Sequence, residues 1–174
     1  MEMLDTYTRD GKFLGVKSRE ECHVDNPGFY HKPAWSWVYN SKGEVLVQKR
    51  SMNKKVFPGC WDMSCAGHVD AGERTIDGLI REVKEELGVD ISEKDCHFEF
   101  EYIEDECFEI GQLYTIKMDR EAKDFNIQEE EVEQVKWVSF EEFKKMLFGT
   151  EWCPYSDEYK YKSIDALEKR FEEL

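Results

Sequence analysis

The sequence predicts one α/β domain over residues 1–174, arranged as an α/β/α or α+β structure. Three observations carry the prediction. A chain of 174 residues that is 40% hydrophobic is long enough to bury one core and fits one ordinary domain. Short runs rich in β-branched and aromatic residues recur between turn residues, which is the pattern of strands. Other stretches carry apolar residues at helical spacing, and the mixture of strands with two or three helices is what such a domain requires.

Residues 4–8 and 13–17 flank Asp10-Gly11 and read as a hairpin. Residues 20–33, with two His and two Pro, read as loop. Residues 34–39 and 45–49 read as strands of a second hairpin around Asn40-Ser41-Lys42-Gly43. After a polar loop closed by Pro58-Gly59 comes a short strand over 62–66. Thr75 is the expected N-cap of a helix in which Ile76, Leu79, Ile80, Val83 and Leu87 form an apolar stripe ending at Gly88. Strands are expected over 97–102, 108–118 and 132–138. Helices are expected over 140–148, capped by Ser139, and over 163–173 through Ile164, Leu167 and Phe171.

Twenty-four Lys plus Arg against 39 Asp plus Glu leave a net charge of −15, which repels polyanions over most of the surface. Nucleic acid polymers and anionic membranes are therefore poor partners. With no apolar run of membrane-span length and no secretory layout at the N-terminus, the expectation is a soluble cytoplasmic protein, a monomer or a homodimer. The six cysteines form no CxxC pair and read mostly as buried free thiols. A small phosphate ester stays possible as a ligand, because a metal and a few cations can reverse the field inside one pocket.

On a helix at about 100° per residue, Glu82, Glu85 and Glu86 fan over a sector roughly 100° wide beside the apolar stripe. Like charges at this spacing weaken a helix by a few tenths of a kcal/mol per pair, so helix stability does not explain them. A hard divalent cation does. Magnesium favours carboxylate together with phosphate oxygens, neutralises a diphosphate leaving group and acidifies an attacking water. Taken alone, EVKEE reads more readily as a solvated acidic face.

Its surroundings decide between the two. Gly67-His-Val-Asp-Ala-Gly-Glu73, seven residues, then Arg81-Glu-Val-Lys-Glu-Glu-Leu-Gly-Val89 fit the pattern G-x5-E-x7-R-E-U-x-E-E-x-G-U, with U aliphatic. A match of this length and definition is specific. The chain thereby resembles the Nudix hydrolase family, which implies an α/β/α sandwich with a mixed sheet and a loop-helix-loop Nudix box. The resemblance implies Glu82 and Glu86 as main ligands of Mg2+ or Mn2+, Glu85 as a further ligand or proton acceptor, and the Gly67 carbonyl as part of the shell. It implies that Glu73 and Arg81 pair to fix the loop and orient the carboxylates; their plain alternative is a surface ion pair worth about 0–1 kcal/mol.

Beyond the box, Lys32 to Arg50, Asn53 to Trp61 and Ala66-Gly67-His68 resemble type I isopentenyl diphosphate isomerase, a branch of the same family. That resemblance implies a second, His/Glu metal site at His23, His31, His68, Glu104 and Glu106, whose donors suit Zn, Mn or Mg. It also implies diphosphate contacts from Arg50 and Lys54, within the local cations Lys49, Arg50, Lys54 and Lys55. Two departures oppose isomerase chemistry. Ala66 stands where the isomerases carry an acid/base cysteine, and Cys65, one place earlier in an extended segment, points to the other face. The intact REUxEE string is a hydrolase feature.

The substrate is expected to be a small diphosphate, with Trp61 and Trp152 the aromatic residues best suited to line a pocket. The segment 152–159 is a candidate cover. The general base stays open among Glu85, Glu104, Glu106 and the run Glu129-Glu130-Glu131. Isomerisation of isopentenyl diphosphate and non-catalytic diphosphate binding are the rival functions.

Overall fold

The computed structural model describes all 174 residues. Its strands are β1 (Met3–Tyr7), β2 (Phe13–Ser18), β3 (Tyr30–His31), β4 (Pro33–Tyr39), β5 (Glu44–Arg50), β6 (Trp61–Asp62), β7 (Cys65–His68), β8 (Cys96–Glu104), β9 (Glu109–Lys117) and β10 (Val132–Ser139). Its helices are α1 (Arg19–Cys22), α2 (Thr75–Leu87), α3 (Phe140–Leu147) and α4 (Asp157–Glu172). One mixed sheet runs β10-β5-β4-β9-β3-β1-β2, with β6 on β5, β7 on β4 and β8 on β9. The β4/β9 and β3/β9 pairs are parallel and the rest antiparallel.

Strand alternation sorts the core into two layers. On β4, Ala34 and Val38 face one cluster while Trp35, Trp37 and Tyr39 face the other. The first cluster receives Leu79, Val83 and Leu87 of α2, all fully buried. Each such side chain contributes about 1.5–3 kcal/mol on burial, enough to hold a helix whose carboxylates repel one another. The second cluster receives Phe143 and Leu147 of α3 and Tyr159 and Leu167 of α4. Helices on both faces of a mixed sheet make the expected α/β/α sandwich.

Several elements depart from the sequence reading. The stretch 20–33 is not all loop: Ser18 and Glu21 form a reciprocal capping box that starts α1 at Arg19, and β3 follows. The second hairpin splays, since β4 and β5 pair only at Tyr39 and Val45. Residues 61–68 enter the gap, where Ser64 Oγ donates to Leu46 O and accepts from Val38 N, while β6 pairs with β5 and β7 with β4. The expected strand over 62–66 is thereby split in two. The N-cap of α2 is Arg74 rather than Thr75, and Arg74 pairs with Asp77 instead of capping through an oxygen. Helix α4 starts at Asp157, ahead of the expected 163, because Ser156 caps it and Tyr159 carries the apolar stripe back by a turn. Of the six thiols, Cys22, Cys65 and Cys153 are buried, Cys60 and Cys96 are half-buried, and Cys107 is exposed. No helix is long and apolar enough to cross a membrane.

Candidate active site

The splayed hairpin sets the site, because β7 delivers Gly67 and His68 to the face of α2 that carries the glutamates. A Cβ on Gly67 would lie 2.1 Å from Glu82 Cδ, so glycine leaves the room in which Glu82 takes this position. Glu73 Oε2 accepts from Asp70 N at 3.0 Å, closing the loop into α2. Arg81 links the parts: it donates to Glu73 at 3.2 and 3.0 Å, to His68 O at 3.0 Å and to Glu82 at 2.8 Å, with Glu85 at 3.5 Å. Arg81 and Glu73 thus form more than a surface pair, since one guanidinium ties loop, strand and helix together.

The three glutamates differ in environment. Glu85 is half exposed, and Glu82 is mostly covered. Glu86 is 7% exposed, and its Oε2 accepts from Gln48 Nε2 at 3.0 Å. Burial pushes Glu86 up to about 8 and Glu82 up to about 7, partly opposed for Glu82 by Arg81. The Cys65 thiol lies against Glu86 and is itself pushed well up by burial there. Glu86 therefore meets only neutral donors. Buried carboxylates without a cation are costly unless a positive charge joins them, and a divalent ion with oxygen preference fits this donor set.

Three of the four cations read from the sequence are paired within the fold, Lys49 with Glu133 at 3.3 Å. Arg50 donates to Asp62 at 3.2 Å and to Val56 O and Phe57 O, anchoring the loop ahead of β6. Lys54 is ion-paired with Glu131, whose charge reaches Glu86. Trp61 packs with the second cluster, on the sheet face away from α2, with Lys136 Nζ 4.6 Å above its ring. Together with Trp152 and Met146 it lines an open cleft of about 330 Å³. The fold does not bring Trp61 to the glutamates.

The second predicted constellation assembles in part: its three histidines meet, Glu104 and Glu106 drop out, and Glu109 joins. His23, His31, His68 and Glu109 place their ligand atoms within 4.8 Å of one another. His31 is 1% exposed with neither ring nitrogen hydrogen-bonded; Glu109 Oε1 stands 3.4 Å from Nε2, without hydrogen-bond alignment. His68 Nδ1 lies 3.3 Å from Glu2 Oε1, and this contact holds Glu2 down at about 2. Burial lowers His23 below the ordinary histidine range. Glu104 and Glu106 stand outside this group. Glu104 is buried opposite Glu109 across the β8/β9 ladder, and Glu106 lies in the exposed turn. Glu109 joins because the parallel β3/β9 register sets it beside His31. No local spacing encodes that register. Gln48 and Glu2 are likewise invisible to local spacing, and only the polar residue that ends the apolar run of β5 while still buried points to the first.

Ala66 packs with the second cluster and Cys65 with the first, so the two neighbours do face opposite ways. No thiol takes the place of Ala66.

Comparison with known proteins agrees with this geometry. The family model described as NUDIX domain matches residues 30–157. Nudix hydrolase 3 of Arabidopsis thaliana is 33% identical over 97% of this chain, which spans only 24% of that protein's length. An isopentenyl-diphosphate Delta-isomerase of Salmonella heidelberg is 31% identical over 67% of this chain and 66% of its own. A crystal structure from Deinococcus radiodurans superposes with a TM-score of 0.75 at 18% identity, covering 97% of this chain and 98% of that one, and so shares the fold. A glutamate helix inside the matched span, a mixed sheet between helix layers and relatives on both sides of the hydrolase–isomerase divide lead to one statement: the chain belongs to the Nudix hydrolase family.

Proposed function

We propose that the chain hydrolyses the pyrophosphate bond of a small organic diphosphate, such as a nucleoside diphosphate-linked compound, with Mg2+ or Mn2+ held by Glu82, Glu85 and Glu86. The observation that carries this reading is the burial of Glu82 and Glu86 on one helix face, with Glu86 met only by neutral donors. When bound, such an ion neutralises phosphate charge and acidifies the attacking water. Arg81 and Glu73 keep the carboxylates oriented, and Gly67 leaves Glu82 room to approach. Half-exposed Glu85 is the helix carboxylate best placed to take a proton from water. Lys54, beside Glu131, is our choice for meeting a substrate phosphate, with Arg50 shaping the loop that presents it. We take the unit to be a single domain acting in the cytoplasm as a monomer or homodimer.

The group His23, His31, His68 and Glu109 supports a second cation site, since a buried imidazole with both nitrogens unpartnered fits a metal better than solvent. The same group and the Salmonella relative favour a second reading, isomerisation of isopentenyl diphosphate. Ala66 opposes it, because Cys65 is held on the α2 face against Glu86.

One experiment separates these readings. The chain is incubated with Mg2+ or Mn2+ and a panel of nucleoside and prenyl diphosphates, and both phosphate products and allylic isomers are followed by NMR. Phosphate release that falls by orders of magnitude in E82Q and E86Q is expected. Isomer formation without phosphate release, or turnover that survives both substitutions, overturns the proposal.

A further inference from the structure

Strand β5 alternates cleanly: Val45 and Val47 enter the second cluster, and Leu46 enters the first, toward α2. Gln48 occupies the next position on that same α2 side and is 5% exposed. An apolar residue like Leu46 would fill the place without the cost of burying an amide. The amide instead donates from Nε2 to Glu86 Oε2 at 3.0 Å.

We infer that Gln48 is a positioning residue for Glu86, gripping one carboxylate oxygen so that the other is presented to a divalent cation. This rests on the reading of Glu86 as a ligand in the hydrolase. Three features support it. Gln48 is fixed laterally, paired with Val135 of β10 on one side and with Asp62 of β6 on the other. Glu86 is fixed from behind, where its carbonyl accepts from Gln128 N at 3.1 Å. The donor is neutral, so it orients the carboxylate without cancelling its charge; an Arg or Lys at this position would compete with the ion. The Cys65 thiol, also neutral and buried, lies against the same carboxylate.

The test compares the wild-type chain with Q48M, Q48N and E86Q. Methionine keeps the volume without the donor; asparagine keeps the amide but falls one methylene short. Binding of Mn2+ alone is measured by calorimetry, and kcat and KM are measured across a Mg2+ titration. A lost hydrogen bond to a charged group predicts about tenfold weaker Mn2+ binding in Q48M and Q48N. A raised Mg2+ requirement, a lower kcat and an unchanged KM at saturating Mg2+ are expected with it. A merely structural role moves melting temperature but not Mn2+ affinity. Wild-type Mn2+ affinity in either folded Gln48 variant, with E86Q defective, overturns the positioning role alone. Wild-type ion binding and turnover in E86Q overturn the underlying reading instead.

Discussion

The α-carbon of Gly67 stands so close to Glu82 that an added Cβ would lie 2.1 Å from its carboxyl carbon. The Gly67 backbone and the Glu82 side chain are therefore packed as one unit. Substituting Gly67→Ala must push Glu82 from its place, since β7 is held on β4 through four residue pairs and cannot retreat. Turnover is expected to fall at least about tenfold, in line with the sensitivity of catalysis to displacement of about 1 Å. Steady-state kinetics beside a urea titration check this; unchanged kcat in a folded G67A protein contradicts it.

Burial gives the ion-free protein a characteristic pH dependence. Glu86 is raised to about 8 and Glu82 to about 7 from an ordinary 4.5, so the folded state binds more protons than the unfolded one between these values. Their contribution to stability is fully present below about pH 4.5 and is lost as pH rises through about 7 to 8. In EDTA, the melting temperature of E86Q should gain on that of the wild type between pH 5 and pH 8. Mg2+ should narrow that gap at pH 8. A gap that does not grow with pH rules out the buried, raised carboxyl.

Arg81 joins Glu73, Glu82 and the His68 carbonyl, so its loss frees three partners at once. R81A is expected to lower kcat about a hundredfold and stability by about 1–3 kcal/mol, the cost of leaving partly buried polar groups unpaired. R81K keeps the charge but not the fork, and should recover only part of the stability. Kinetics and chemical denaturation of both variants test this; full activity in R81A would show that the carboxylates orient themselves.

His31 has no hydrogen-bond partner at either ring nitrogen, and its ring centre lies 5.0 Å from that of His23 and 5.4 Å from that of His68, both tilted against it. H31Q should lower the number of tightly held ions by one per chain, measured by elemental analysis after chelation, reloading with Mn2+ or Zn2+ and dialysis. Pyrophosphate hydrolysis should largely persist, because the glutamate face of α2 is untouched. An unchanged ion count eliminates the second site.

The glutamate face and the opposed faces of Cys65 and Ala66 were legible in the sequence, because each follows from local geometry, while the Arg81–Glu73 pairing was legible only through the family resemblance of the box. A helix repeats about every 3.6 residues and a strand every two, so spacing alone tells which side chains share a face. The partners that come from elsewhere in the chain were decided only by tertiary structure. Glu109 meets His31 through a parallel register, Gln48 meets Glu86 across the core, and residues 61–68 wedge open the β4/β5 hairpin. Arg50 and Lys54 read as free cations until the fold paired them with Asp62 and Glu131. Periodicity specifies which face a residue occupies, whereas what that face meets depends on strand order and register. Those are set by burying the whole apolar surface at once, and no short stretch of sequence encodes them.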